Sequence, residues 1–236
     1  MIERISFYLT PAHPCSYLEG NIASTAFADP NLELSAAHYS HLIRYGFRRS
    51  GKHVYRPHCD NCTACISIRL KTKEFNPGRR FKRVLSNNKD LNCNISDNAD
   101  NPEYYELYRR YISSRHQGGE MDEDNPETYE EFIGSTWANT IYLEARLEQK
   151  LIAVAVIDQV ENGISAVYSF FDPDYPKRSL GNYLILKQIE LNNKLENEYL
   201  YLGYWIEKCQ KMNYKADYKP HQLFIDGDWV ESKPPE

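Results

Sequence analysis

The chain of 236 residues is poor in long apolar runs, and this bears first on the membrane question. Its longest uninterrupted stretch, Leu151 to Ile157, has seven residues, whereas a bilayer-spanning helix needs about 20. No secretory signal is read at the start, where Met1-Ile2-Glu3-Arg4 leads into a polar, proline-punctuated segment. Six cysteines without a secretory context are expected as reduced thiols or metal ligands, not disulfides. The expected location is the cytoplasm. No Ser/His/Asp or Cys/His motif stands out, so a covalent nucleophile is not expected. A positive net charge is also missing: the total is −5. Taken alone, that argues against a nucleic-acid partner.

The distribution of charge reverses the argument. Between Arg44 and Arg83, twelve Lys/Arg stand against Asp60 and Glu74, a local +10 that leaves −15 for the remainder. Such asymmetry is expected of a protein with one basic docking face. Nineteen tyrosines are chiefly core and rim residues, with some available to stack on bases.

The most structured stretch runs from Leu151 to Trp205. LIAVAVID and ISAVYSFFD are rich in Val, Ile, Tyr and Phe, and Glu161-Asn162-Gly163 closes them as a hairpin. After Ser179 the apolar period lengthens through Leu180, Tyr183, Leu184 and Ile189, so a helix starts there and leads to the strand YLYLGYW. A strand pair followed by a crossover helix leaves a cleft at the strand ends, with the helix N-terminus directed into it. The reaction is expected in that cleft.

Upstream, residues 1–80 read as irregular: a short strand at Phe7–Thr10, a helix from Glu33 to Tyr45 ended by Gly46, and a basic strand from Ile66 to Phe75. Cys59, Cys62 and Cys65 form two overlapping Cys-x-x-Cys pairs, which suit zinc or an iron–sulfur cluster. The alternative is three small thiols packing a loop-rich lobe. Cys15 is the best distant fourth ligand and His58 the nearest. Pro77-Gly78 marks a lobe boundary, followed by Arg79-Arg80-Phe81-Lys82-Arg83. A strand at Leu91–Ile95 comes next. Asn101-Pro102-Glu103 and Asn125-Pro126-Glu127 then each supply an N-cap, a proline at N1 and a first-turn carboxylate for a helix. The second helix is expected to carry Tyr129, Phe132, Ile133, Thr136 and Trp137 on its apolar face. A glycine-bearing loop, Arg115–Asp122, separates the two helices. A strand at Ile141–Glu148, a short helix at Lys208–Met212 and a last strand at Gln222–Ile225 complete the pattern.

This order resembles an α+β, GNAT-type acyltransferase domain over 81–230, with a smaller irregular cysteine-containing N-terminal lobe at 1–80 and a flexible tail at 231–236. Acetyl-CoA users of that fold carry R/Q-x-x-G-x-G/A before the central helix. Here Arg178-Ser179-Leu180-Gly181-Asn182-Tyr183 ends in Tyr, which favours another activated acyl donor.

The strings FYLTPAHPCSYL, YGFRRSGKHVYRPHCDNCTAC, YRRYISSRHQGGEMD, AVYSFFDPDYPKRSLGNY and YLYLGYWIEKCQKMNYK together resemble the bacterial aspartate/glutamate leucyltransferases, a branch of the arginyl-tRNA–protein transferase family. The resemblance implies transfer of leucine from leucyl-tRNA to an N-terminal Asp or Glu, which marks the acceptor for proteolysis. An aminoacyl ester is already activated, and an α-amine of pKa about 7.7–8.0 is partly neutral at pH 7, so orientation supplies much of the acceleration. The catalytic strand is then Tyr168, Ser169 and Phe170, offering backbone N–H groups to the oxyanion. Arg48, Arg49, Arg56 and Tyr201 are the candidates for substrate binding, since an arginine fork suits a carboxylate. Lys177, Arg178, Arg79, Arg80, Lys82 and Arg83 are the candidates for tRNA phosphate. Cys15 joins Cys59, Cys62 and Cys65 through the resemblance. No cofactor is required for the chemistry. The competing readings are an arginyl-tRNA donor, a non-enzymatic RNA-binding metal module and an acetyl-CoA N-acetyltransferase.

Overall fold

The computed structural model describes residues 4–115 and 125–232. The glycine-bearing loop beyond Arg115 and the tail from residue 233 lie outside the described residues. In chain order the elements are β1 (Phe7–Leu9), β2 (His13–Pro14), β3 (Ile22–Ala23), β4 (Thr25–Ala28), α1 (Ala36–Leu42), β5 (Arg48–Ser50), β6 (His53–Pro57) and β7 (Ile66–Lys71). They continue with α2 (Arg79–Asn87), β8 (Leu91–Ser96), α3 (Pro102–Arg115), α4 (Pro126–Ile133), β9 (Asn139–Leu147), β10 (Lys150–Val160) and β11 (Gly163–Phe171). The last are α5 (Leu180–Lys194), β12 (Tyr199–Trp205), α6 (Gln210–Asn213), β13 (His221–Ile225) and β14 (Asp228–Glu231).

Eight strands form the main sheet in the order β14-β13-β7-β12-β11-β10-β9-β8. Every neighbouring pair is antiparallel except β11 and β12, which the crossover helix α5 joins in parallel. A smaller sheet has the order β1-β4-β6-β5, and β2 pairs with β3. Helix and sheet are thus mixed in an α+β arrangement.

Strand β10 shows why its sequence is continuously apolar. Ala153, Ala155 and Ile157 pack with Leu180, Leu184 and Ile189 of α5, while Val154 and Val156 pack with Tyr104, Leu107 and Tyr108 of α3. Because successive side chains point to opposite faces, helices cover both sides of the strand and every residue from Leu151 to Asp158 is buried. A third cluster, including Tyr39, Ile43, Phe47 and Tyr201, joins α1 and the small sheet to the main one.

Several boundaries differ from the expectation, each for a local reason. The lobe boundary expected at residue 80 does not separate two sheets, because β7 lies inside the main one, between β12 and β13. Its alternating basic residues are not a solvated face. Arg69 is buried, its guanidinium over the rings of Tyr199 (3.6 Å) and Trp229 (4.3 Å), and it donates to Gln222 Oε1 (2.8 Å) and the Tyr201 hydroxyl (3.3 Å). The strand stops at Lys71, where a 3-10 turn at Thr72–Glu74 begins. The basic segment after Gly78 is the helix α2, which places Phe81 and Val84 inward. α1 starts at Ala36, where the Ser35 hydroxyl accepts the His38 N–H, and Gly46 ends the following 3-10 turn at φ 82°. α4 ends at Ile133 before Gly134, so Thr136 and Trp137 lie beyond it, and Trp137 meets Tyr39 edge-on instead. The final hairpin strand β14 has no counterpart in the sequence expectation.

Candidate active site

A fork in the main sheet organises the site. β11 and β12 pair only over Gly163–Ser165 and Tyr199–Tyr201. Immediately past that point each strand carries an irregularity against its other neighbour. Val167 has no partner between Ala166 and Tyr168 on β10, and Leu202 has none between Tyr201 and Gly203 on β7. An extra residue bends a strand and increases its twist, and two such residues at the same level turn β11 and β12 away from each other. Gly203 follows at φ 85°, in the left-handed region where a side chain is strained.

Arg48 fills the root of the fork. It comes from β5, is buried, and donates to the carbonyls of Tyr201 (3.2 Å) and Ala166, one on each diverging strand. A Cβ at Gly203 would stand 3.5 Å from its guanidinium carbon. Three phenols surround it. Burial pushes the hydroxyls of Tyr39, Tyr55 and Tyr204 up, while the Arg48 charge pulls each the other way. All three are therefore neutral at pH 7 and do not compensate the guanidinium.

The head of the fork is the N-terminus of α5. Ser179 precedes it at φ 52° with no side-chain cap, so its first N–H groups lack intrahelical partners. A Cβ on Gly181 would meet the Phe171 ring at 3.2 Å, which sets this helix start against the end of β11. Asp172, sealed from solvent, fixes the intervening loop. It accepts from Arg110 (2.7 and 3.1 Å), Lys150 (2.9 Å) and the Asp174 N–H (3.0 Å). Burial pushes its carboxyl up, but these donors together hold it below the ordinary value.

Further along, Lys215 is buried against β12 beyond the fork. It donates to the Tyr204 carbonyl at 2.8 Å and lies 3.3 Å from Met212 Sδ. Burial, then the Arg48 charge, push its ammonium down to about 7, with the thiols of Cys209 and Cys65 acting in the opposite sense.

Tyr168, Ser169 and Phe170 lie on β11 beyond the fork, where no strand pairs with them on the β12 side among the described residues. The Phe170 ring is fully buried. Among the described residues the buried Tyr168 hydroxyl has no partner; it lies beside Tyr108, Tyr111 and Phe132, and burial raises its pKa. Tyr201 contributes its carbonyl to Arg48, while its hydroxyl donates to Asn162 Oδ1 (3.1 Å) at the hairpin turn. Arg49 faces inward. Its guanidinium holds Asp158 bidentately at 2.6 and 2.9 Å, both side chains inaccessible, and adds the carbonyls of Gly51 (2.9 Å) and Gly134 (3.1 Å). With its donors committed to internal acceptors, it has none to offer a substrate. Arg56 stands over the Phe47 ring (5.0 Å), donates to the Tyr45 carbonyl (2.9 Å), and borders a largely apolar cavity of about 590 Å³.

Arg79, Arg80, Lys82 and Arg83 are exposed on α2, close to its N-terminus. Cations there oppose the helix dipole, a placement that costs stability and suits an external anion. Arg80 also pairs with Asp217. Lys177 is exposed, whereas Arg178 is tied to Asp90 by two 2.8 Å bonds and to the Asn87 carbonyl. Tyr183, the residue that departs from the coenzyme A pattern, is buried on α5 with its hydroxyl 3.3 Å from Cys93 Sγ.

All six cysteines are free thiols. Cys59 and Cys62 pair through an isolated bridge, and Cys65 is pushed up to about 12 by burial, then by Cys15, Cys59 and Cys62. The four are neighbours, yet among the described residues no group of three or more His, Cys, Asp or Glu is arranged to hold a metal ion. Mutual repulsion of the clustered thiols is one cause of the upward push on Cys65, and no step of the chemistry is assigned to a metal.

Asp158, Gly203 and Lys215 are functional candidates that the sequence reading misses. A lone carboxylate ending LIAVAVID and a glycine inside YLYLGYW are the available signals, a buried charge needing a partner and a strand glycine marking a bulge. Lys215, in the polar string MNYKADYK, gives no such sign.

The family model "Arginine-tRNA-protein transferase, C terminus" matches residues 103–225, and its N-terminus counterpart matches 13–83. A protein of Teredinibacter turnerae named aspartate/glutamate leucyltransferase is 50% identical over 230 residues, covering 97% of this chain and 95% of its own. Proteins of the same name from Saccharophagus degradans (49%, covering 97% and 98%) and Alcanivorax borkumensis (47%, covering 99% and 97%) are similarly close. With both halves matched and relatives aligned over nearly their whole length, the chain belongs to the arginine-tRNA-protein transferase family and groups within it with the aspartate/glutamate leucyltransferases.

Proposed function

We propose that this protein transfers leucine from leucyl-tRNA to the N-terminal Asp or Glu of an acceptor polypeptide, and that the β11–β12 fork is where the two substrates meet. The fork with Arg48 at its root is the observation that carries this reading. A crossover helix and a strand pair that splays at two bulges are also what a GNAT-type acyltransferase domain provides. The neutral α-amine attacks the ester carbonyl. An amide bond forms, the ester bond to the tRNA ribose breaks, and the proton lost by the amine ends on the ribose oxygen. The backbone of Tyr168, Ser169 and Phe170 offers N–H groups to the oxyanion, and the start of α5 adds the positive end of its dipole. Exposed Arg79, Lys82, Arg83 and Lys177 steer the tRNA backbone. Of the three candidate arginines, Arg48 is the one at the fork, and it is assigned to the acceptor carboxylate. Acceptors so modified carry an N-terminal leucine that directs their proteolysis.

The test is transfer of labelled leucine or arginine from the respective tRNA to peptides starting Asp, Glu or Ala. Label from leucyl-tRNA on the Asp and Glu peptides alone is expected. Label from arginyl-tRNA only, or on all three peptides equally, overturns the assignment.

A further inference from the structure

Two buried basic side chains sit beside the fork, and among the described residues neither has an anion to balance its charged form. Arg48 directs two of its five guanidinium donors at the Ala166 and Tyr201 carbonyls. Lys215 directs one of three at the Tyr204 carbonyl and another at the weak acceptor Met212 Sδ. Among the described residues no carboxylate pairs with either. The groups acting on Lys215 are Arg48 from β5, Cys209 ahead of α6 and Cys65 ahead of β7, and none of these is a carboxylate. Gly203 of β12 lies against the Arg48 guanidinium, 3.5 Å from where its Cβ would stand, and the next residue, Tyr204, supplies the carbonyl that Lys215 meets. Uncompensated buried charge is strongly destabilising and is retained where a ligand supplies the counter-charge.

We infer that Lys215 is a specificity residue that holds, together with Arg48, the side-chain carboxylate of the acceptor's N-terminal Asp or Glu. The inference rests on the transfer reading above. A carboxylate is favoured over a tRNA phosphate because both cations are less than a tenth exposed. A small planar anion on a slender side chain reaches them, whereas the exposed cations of α2 already serve the bulky phosphate backbone. The lysine adds a compact point charge to the planar fork of the arginine, so the pair can contact both carboxylate oxygens. An amide of the same shape, as in Asn or Gln, brings no charge and is rejected.

The decisive experiment measures equilibrium binding of peptides that differ only in starting with Asp or Asn, to wild-type protein and to Lys215→Met, together with the KM for leucyl-tRNA. In the wild type the Asp peptide should bind more tightly. In Lys215→Met that preference should fall about 10- to 100-fold, the span of a lost charged hydrogen bond, with little change in the leucyl-tRNA KM. A preference that survives, with both peptides weakened equally, makes Lys215 a mere support of β12 and overturns the inference. A raised leucyl-tRNA KM with intact peptide preference assigns the anion to RNA and overturns it as well. If the variant does not fold, acylation of Lys215 in the wild type decides: protection by the Asp peptide but not the Asn peptide supports the assignment, and equal or absent protection refutes it. Wild-type protein that transfers leucine to no acidic peptide removes the underlying reading, an outcome distinct from failure of Lys215 alone.

Discussion

Replacing Asp158 by Ala probes how the site is held in place. Asp158 and Arg49 are both inaccessible, joined at 2.6 and 2.9 Å, and the Thr140 hydroxyl donates to the same carboxylate at 2.7 Å. Removing the carboxylate leaves a guanidinium buried without its counter-charge, for which about 3–5 kcal/mol is the usual cost. A chain of this size loses about 2–4 °C of Tm per kcal/mol, so a fall of roughly 6–20 °C is expected by combining the two ranges. Urea unfolding followed by circular dichroism should show a lower midpoint at unchanged slope. The double variant Arg49→Met/Asp158→Leu should recover much of the loss, because apolar residues of similar volume can replace a buried pair at little cost. A single variant that loses less than about 1 kcal/mol would show that Arg49 relaxes to solvent, and that the pair does not lock β5 to β10.

Three further outcomes are expected. Charge reversal at Lys82 and Arg83 should weaken leucyl-tRNA binding, and neutralising either should lower the slope of log K against log salt by up to about 0.9 for each phosphate left without its cation; an unchanged slope would place the RNA elsewhere. Gly203→Ala, at φ 85° beside Arg48, should cost about 1–2 kcal/mol in chemical denaturation, and a neutral result would mean that the backbone re-forms without strain. Asp172, whose carboxyl is held below its ordinary 3.8, contributes stability that is complete above that value and lost as pH falls through the lower folded one. The Tm of the wild type should therefore drop more steeply in that acid window than that of Asp172→Asn, and parallel curves would contradict the ion cluster.

What is legible in the sequence follows local periodicity. The hairpin of β10 and β11, the α5 crossover and the Asn-Pro starts of α3 and α4 are written in short-range patterns, and they appear at the expected places. β7 shows the limit: its alternation of Ile and Leu with Arg and Lys describes a half-solvated strand, and only distant Tyr199 and Trp229 turn Arg69 into a buried residue. Three neighbouring arginines likewise look alike as letters. Arg48 meets two carbonyls and Arg49 meets Asp158 because β5, an edge strand of the small sheet, docks on the large one, whereas Arg56 on the neighbouring β6 meets Phe47. Identity of side chain says little about role when the partner lies a hundred residues away.

The position of β7 also bears on any attempt to divide the protein. The segment 81–232 looks self-sufficient, with a hairpin, a crossover helix and its own aromatic core. Without Ile66–Lys71, however, it would lose the strand that separates β12 from β13 and be left with two raw edges facing a gap. Exposed strand edges recruit other chains, so such a fragment invites self-association rather than folding as a smaller enzyme. The same fragment would also lack Arg48. The amino-terminal residues are in that sense a missing tooth of the larger half, and the two halves are better regarded as one interleaved body than as modules to be exchanged.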